Sequence, residues 1–284
     1  MKAQLPGRDY PAPAKLNLFL HVVGRRADGY HLLQSAFTLI DRADRLRFAV
    51  RKDGQIRRVS DLPGVPPDAD LVVRAARALQ ACCGTSLGAD IEVDKALPLG
   101  GGLGGGSSDA ATTLMALNHL WGARLARTQL QALGGTLGAD VPFFVFGENA
   151  WVEGVGERLA PLTIPSSWYL VLQPPVAVPT AAIFGVPELT RDSEPLKIQD
   201  FSALLGAGRL RNDLEPVVAA RYPVVAEHLA WLGRVGGGRV TGSGACVFAR
   251  FGDRAAAEQA LASLPETMNG FVAQGMDVHP LRDL

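Results

Sequence analysis

Along residues 14–23 apolar and polar side chains alternate. Leu16, Leu18, Leu20 and Val22 fall on one face of an extended strand, with Lys15, Asn17, Phe19 and His21 on the other. Gly24 and the Asp28-Gly29 pair mark a turn, and strand-like runs follow near 35–40 and 45–51. Residues 52–68, with Asp53-Gly54 and Pro63 through Pro67, read as turns and loop. From Asp70 to Cys82 the period lengthens to that of a helix, with Leu71, Val72, Ala75, Ala78 and Leu79 in register. Ile91 and Val93 then alternate with Asp90, Glu92 and Asp94, the mark of a half-buried strand. Beyond a glycine-rich stretch, Ala110, Ala111, Leu114, Met115, Leu117, Leu120 and Trp121 recur at helical spacing, and Ser107 or Ser108 is a natural N-cap. A further helix is expected at about 128–137, and Val141–Phe146 forms a short apolar segment closed by Gly147.

The second half is read in the same way. Val152–Leu159 and Tyr169–Leu172 look like strands, and Pro161, Pro165, Pro174, Pro175 and Pro179 punctuate a passage between lobes. Thr180 is expected to cap a short helix containing Phe184, and 187–200 reads as polar loop. Helices are expected at 212–221, 223–234 and 254–263, with a second glycine turn at 236–244 leading into a strand. Strands and helices interleave without strict alternation or internal repeat. The class is α+β in two lobes, 1–155 and 156–284.

The stretch Pro98-Leu99-Gly100-Gly101-Gly102-Leu103-Gly104-Gly105-Gly106-Ser107-Ser108 carries six glycines in seven positions and runs from a strand into a helix. Glycine lets a ligand approach bare backbone, and a helix start offers unpaired N–H groups with a partial positive charge. Together they suit phosphate. No lysine ends the loop, so it is not a Walker A sequence. Gly100, Gly102 and Gly105 formally match a dinucleotide fingerprint, but the acidic residue expected about 20 positions later is missing.

Composition narrows the choices. Lys+Arg and Asp+Glu both total 28, which argues against a nucleic-acid or membrane-surface partner. Cys82, Cys83 and Cys246 are odd in number and form no disulfide framework, so a reducing cytoplasm is the simpler setting. No apolar run reaches the ~18 residues of a membrane span. Lys2 and Arg8 are followed by a strand pattern rather than a signal-peptide core. His119 and His228 lack ligand-spaced partners for zinc.

Single residues read two ways. Lys15 is either a solvated edge lysine or, with Asn17 beside it, a cation-amide pair for a phosphate or hydroxyl. Asp140 in Leu137-Gly-Ala-Asp140 either caps a turn or accepts a proton from an attacking hydroxyl. Tyr30-His31 is either a packed pair or a site for stacking and edge recognition of a flat base. Thr241-Gly-Ser-Gly244 alone is a turn.

The order of these pieces is more specific than any one of them. Pro13-Ala-Lys-Leu-Asn17, Pro98–Ala111 and Thr241-Gly-Ser-Gly-Ala-Cys246 resemble the three motifs of the GHMP small-molecule kinases. Arg26-Ala-Asp-Gly-Tyr-His31, Leu137–Phe143 and Arg211-Asn-Asp-Leu-Glu215 resemble the branch acting on a cytidine-diphosphate-linked methylerythritol in the non-mevalonate isoprenoid route. The likeness implies a two-lobed fold with its active site in the cleft between lobes. It implies ATP and Mg²⁺, with Pro98 through Ser108 around the nucleotide and Ser107 near the metal ion. It implies Lys15 and Asp140 as the catalytic pair. Asn17, Tyr30, His31, Phe37, Thr180, Phe184 and Thr241 would line the acceptor side, with His31 reading the cytosine edge and Tyr30 stacking, and Lys95 would lie near the nucleotide. Whether the chain is a monomer or a homodimer stays open, and residues 185–200 are the least distinctive part.

Overall fold

The computed structural model describes residue 5 and residues 7–284. Lys2 and the rest of 1–4, with residue 6, lie outside the described residues. Strands β1 (Tyr10–Arg25) and β2 (His31–Arg51) form a long antiparallel pair, and β2 is the spine of the sheet. Along its length β2 also meets β4 (Gly88–Asp94), β5 (Ala150–Gly154) and β10 (Gly270–Met276). The sheet runs outward through β3 (Ile56–Arg58) beside β4 and β6 (Arg158–Pro161) beside β5. On the other side β10 continues into β7 (Trp168–Leu172), β9 (Val247–Phe251) and β8 (Arg239–Val240). Only β3 and β4 pair in parallel among the described strands.

Helices α1 (Leu71–Cys83), α2 (Gly105–Leu120), α3 (Arg127–Gly135) and α4 (Val141–Phe146) bury Leu79, Leu114, Leu117, Phe143 and Phe144 in one core with Leu39, Leu46 and Ile91 of the sheet. A second core joins Leu170 and Val247 to α5 (Thr180–Phe184), α7 (Glu215–Arg221) and α8 (Pro223–Val235). Helix α9 (Arg254–Ala262) supplies Ala260 to the second core. Helix α6 (Phe201–Gly206) contributes Phe201 to a third cluster, shared with Leu16, Leu18, Phe19, Trp151 and Tyr169. The arrangement is α+β and two-lobed. The C-terminal tail returns to the first half, where Leu281 joins the first core and the amide of His279 donates to Gly147 at 2.9 Å.

Several sequence expectations are corrected. The runs at 35–40 and 45–51 are one continuous strand, and 152–159 is two strands joined by a turn. The face assignment of β1 holds only part-way. Asn17 pairs with Phe37 but Phe19 with Ala36, so Leu18 is an extra residue and the alternation slips. Leu18 and Phe19 therefore share a cluster with Leu16, while Leu20 and Val22 pack in the second core. Neither Ser107 nor Ser108 caps α2: the helix starts at Gly105, and Gly104, with φ 72°, is its N-cap. Thr180 is the first residue of α5, with Pro179 in the cap position. The apolar segment 141–146 is a helical turn, α4.

Candidate active site

Three segments meet at the start of α2. Gly100, Gly102 and Gly104 adopt positive φ, which bends the loop tightly before the helix. A Cβ on Gly102 would lie 2.2 Å from the carbonyl oxygen of Thr241, and one on Gly104 would press on the Phe144 ring at 2.9 Å. The loop is tied down on both sides. The amide of Lys15 donates to Leu103 O at 3.0 Å, and the amide of Cys246 donates to Gly101 O at 3.1 Å. Ser108 donates its hydroxyl to Pro13 O at 2.6 Å, fixing the first turn of α2 on β1. The N–H groups of Gly105, Gly106 and Ser107 meet no acceptor among the described residues.

Lys15 projects from β1 beneath this loop and is 3% exposed. Its Nζ lies 2.5 Å from Asn17 Oδ1, 3.6 Å from Asp140 Oδ2 and 4.6 Å from the centre of the Phe37 ring. Burial lowers the Lys15 pKa from its ordinary value, and the charge of Asp140 opposes that shift. Asp140 sits at the N-terminus of α4 and keeps about a third of its side chain open, at 33%. Asn17 is held from the other side: Nδ2 donates to Ser35 Oγ at 3.2 Å, its backbone N–H donates to Thr241 Oγ1 at 3.1 Å, and Thr241 Oγ1 also reaches Asn17 Oδ1 at 3.3 Å. Thus Lys15, Asn17, Phe37, Asp140 and Thr241 form one cluster against the glycine loop.

The remaining expected residues lie around a second group. His31 begins β2, and its ring centre is 5.0 Å from that of Phe184. Tyr30 next to it is 66% exposed, an open aromatic face. Thr180 Oγ1 and Ser243 Oγ share a hydrogen bond of 2.8 Å, joining α5 to the second glycine turn.

Comparison with known proteins decides the family. Residues 70–148 match the profile of the GHMP kinases N terminal domain, and residues 195–270 match GHMP kinases C terminal. The chain belongs to the GHMP kinases. This kinase is 62% identical over 274 residues to the 4-diphosphocytidyl-2-C-methyl-D-erythritol kinase of Thiobacillus denitrificans, covering 96% of this chain and 97% of that protein. It is 58% identical to the protein of the same name from Nitrosospira multiformis, over 96% and 92% of the two chains. A crystal structure titled 4-(cytidine 5'-diphospho)-2C-methyl-D-erythritol kinase superposes with a TM-score of 0.83 at 34% identity, covering 94% of this chain and 99% of that one. A mevalonate kinase structure superposes at 0.71 with 15% identity, over 95% and 100%, and shares the fold.

Membership in the GHMP kinases implies use of ATP, and the residues fit it. Open amides at Gly105 to Ser107, bare glycine backbone and the positive end of α2 together suit a polyphosphate. Among the described residues no cluster of His, Cys, Asp or Glu is arranged to hold a metal ion. No helix among them is long and apolar enough to cross a membrane. Cys246 packs under Gly101, and burial pushes its thiol up to about 12, so it is inert at neutral pH.

The contacts of three groups were not read from the sequence. Lys95, expected near the nucleotide, is engaged by two carboxylates at the entry to the glycine loop: Asp44, and Asp109 at 2.7 Å. Asp44 also accepts from the amides of Ala96 at 2.6 Å and Leu97 at 2.8 Å, anchoring the entry to the glycine loop. Burial, opposed by Lys95 and reinforced by Asp44, raises the Asp109 carboxyl to about 7. Asn212 and Asp213 also lie behind the site. Asn212 Nδ2 donates to Val240 O and Gly242 O at 2.8 Å each, and Asp213 Oδ2 accepts from the Val22 amide at 2.8 Å. Finally, the polar stretch 185–200 supplies Arg191, whose Nε donates to His31 Nε2 at 3.1 Å. The Arg211–Glu215 motif marks Asn212 and Asp213 but not their partners, and no periodicity marks the other pairings, because each joins residues far apart in the chain.

Proposed function

We propose that this GHMP kinase transfers a phosphoryl group from ATP to the 2-hydroxyl of 4-diphosphocytidyl-2-C-methyl-D-erythritol, a step of the non-mevalonate isoprenoid route. The observation that carries the chemistry is the buried Lys15 amine 3.6 Å from the half-open Asp140, beneath a helix start whose amides are unclaimed. The relatives' names carry the choice of acceptor. ATP, with Mg²⁺ on its phosphates, supplies the phosphoryl group. Backbone amides of the loop Pro98–Ser108 would hold the phosphates, and the Ser107 hydroxyl would be the residue available to the metal ion, which would neutralise the phosphate charge. Asp140 takes the proton of the acceptor hydroxyl as transfer proceeds in line. Lys15 orients that hydroxyl and offsets the charge that gathers there. The Asn17 amide keeps the ammonium on station, since a buried cation with fewer partners would shed its proton.

On this reading Asn17, Phe37 and Thr241 form the floor of the acceptor site. Tyr30, His31, Thr180 and Phe184 form its wall, with Tyr30 stacking and His31 reading the base edge. The lobes divide near residue 155. Little covalent work is required of the protein, so positioning and electrostatics dominate.

The test is ATP-dependent phosphorylation with a panel of acceptors. The cytidylated methylerythritol gains one phosphate, whereas methylerythritol phosphate lacking the cytidyl group, homoserine and mevalonate do not. Efficient transfer to homoserine or mevalonate would replace this reading with that of another GHMP kinase.

A further inference from the structure

The Arg191–His31 contact has a chemical consequence that its distance alone does not express. A guanidinium has five N–H donors and no acceptor, and it stays charged at any working pH. Its Nε stands 3.1 Å from His31 Nε2. That nitrogen must therefore present a lone pair. His31 is then neutral, and its single ring proton sits on Nδ1. Burial and the neighbouring Arg191 and Arg25 charges all lower the His31 pKa, in keeping with a neutral ring.

Arg191 is itself fixed. Nη1 donates to Pro187 O at 3.2 Å and to Leu189 O at 3.0 Å, and Nη2 donates to Phe184 O at 3.2 Å and to Val186 O. The guanidinium is thus bolted to the carbonyls of the turn that follows α5, with Nε left for the imidazole. Phe184, whose carbonyl it holds, packs its ring against the same imidazole. Nδ1 has no protein partner among the described residues.

We propose that Arg191 is a specificity-determining positioning residue: by accepting no alternative at Nε2, it locks His31 as the Nδ1–H tautomer and so sets the donor shown to the base. This rests on the acceptor reading above. Cytosine offers an unprotonated ring nitrogen, N3, on its pairing edge, whereas uracil carries a proton at that position. A fixed Nδ1–H donor matches the first and opposes the second, donor against donor. Without Arg191 the ring can move its proton to Nε2 and present Nδ1 as an acceptor, which suits uracil. Selection of the base is then lost without any change in the residues that touch it.

Two measurements on the full-length protein test this. The first is ¹⁵N NMR of the His31 imidazole, assigned with a His31→Gln control. Wild type is expected to show a proton-bearing Nδ1 and a bare Nε2, and Arg191→Met to lose that pattern. A wild-type ring protonated on Nε2 overturns the proposal, whether or not Arg191→Met folds. The second is the ratio of kcat/KM for the cytidine and uridine forms of the acceptor. In Arg191→Met this ratio should fall about tenfold, the scale of one mismatched buried hydrogen bond. The loss for the cytidine form should appear in KM rather than kcat, and Arg191→Lys, which keeps a cationic donor, should recover part of it. An unchanged ratio, or an unchanged tautomer in Arg191→Met, also overturns it. A wild-type enzyme indifferent to the base would instead refute the acceptor reading, while the NMR arm still decides the lock.

Discussion

At the scale of single residues, the candidate site places an amine where water barely reaches it. Lys15 is enclosed by Asn17, Phe37 and Asp140, and only Asp140 opens outward. Asp140→Asn preserves shape but removes both the proton acceptor and the one anion beside Lys15. On the proposed mechanism, kcat should fall by roughly 10²-fold or more while the KM for ATP stays near wild type. Steady-state kinetics check it, and near-normal kcat would take Asp140 out of the role of base. The cation-amide pair of Lys15 and Asn17 was visible in the sequence as neighbours on one strand face. Their burial was not, because lysine is ordinarily exposed and only the sheet shows that both faces of β1 are covered. The polar groups that serve the loop were less legible still. Asp41 to Asp44 look like a break between two strands. In the fold they continue β2, and Asp44 spends its carboxylate on Lys95 and on two amides leading into the glycine loop.

At the scale of elements, the glycine loop and the second glycine turn are built to touch. Gly102→Ala would set a Cβ 2.2 Å from Thr241 O at a φ of 77°. Backbone on both sides leaves nothing flexible to yield. A loss of several kcal/mol in stability is expected, on the scale of about 1–3 kcal/mol for each overpacked or strained site, together with a raised KM for ATP. Chemical denaturation and ATP titration of the rate measure both, and an unperturbed KM would show that the loop tolerates displacement. Helix α1 gives a second case. Asp70 caps it by accepting from the Val72 amide at 3.0 Å and also pairs with Arg58 at 2.6 Å, whose side chain is 4% exposed. Asp70→Ala removes a cap and strands a buried guanidinium, so a cost of about 3 kcal/mol is expected in denaturant unfolding. A loss below ~1 kcal/mol would mean that the Val65 and Ser60 carbonyls suffice for Arg58. The helix was legible from its period. Its anchor was not, because Arg58 lies in a stretch read as loop. The N-terminus of α2 was misplaced for a related reason: serines usually cap helices, but here the hydroxyl of Ser108 is spent on Pro13 O.

At the scale of the molecule, the C-terminal tail ties the last strand to the first core. Leu281 packs there, Arg282 pairs with Glu148 at 3.1 Å, and His279 is buried with its Nδ1 accepting from the Leu281 amide at 3.0 Å. Burial, with the Arg127 charge adding to it, depresses the His279 pKa to about 3. Between that value and the ordinary 6.5 the unfolded chain binds a proton that the folded chain refuses. Stability from this residue is therefore complete above about pH 6.5 and is lost as pH falls toward 3, by up to ~1.4 kcal/mol per pH unit. The raised Asp109 carboxyl acts in the opposite sense between 3.8 and about 7, where the folded chain holds the extra proton, so the total curve is flattened. The clean observable is the stability gap between wild type and His279→Gln, which should narrow as the solution is acidified below pH ~6.5. A gap that stays constant with pH would show that the imidazole titrates normally in the native state.

The contact between Gly102 and Thr241 has one more implication, for movement. Backbone resting on backbone leaves no slack, so the bend of the glycine loop and the turn at 241–246 must travel together as one rigid piece. On the proposed reading, admission and release of an acceptor then fall to the segment where Tyr30 stands open and a single arginine staples five atoms into place.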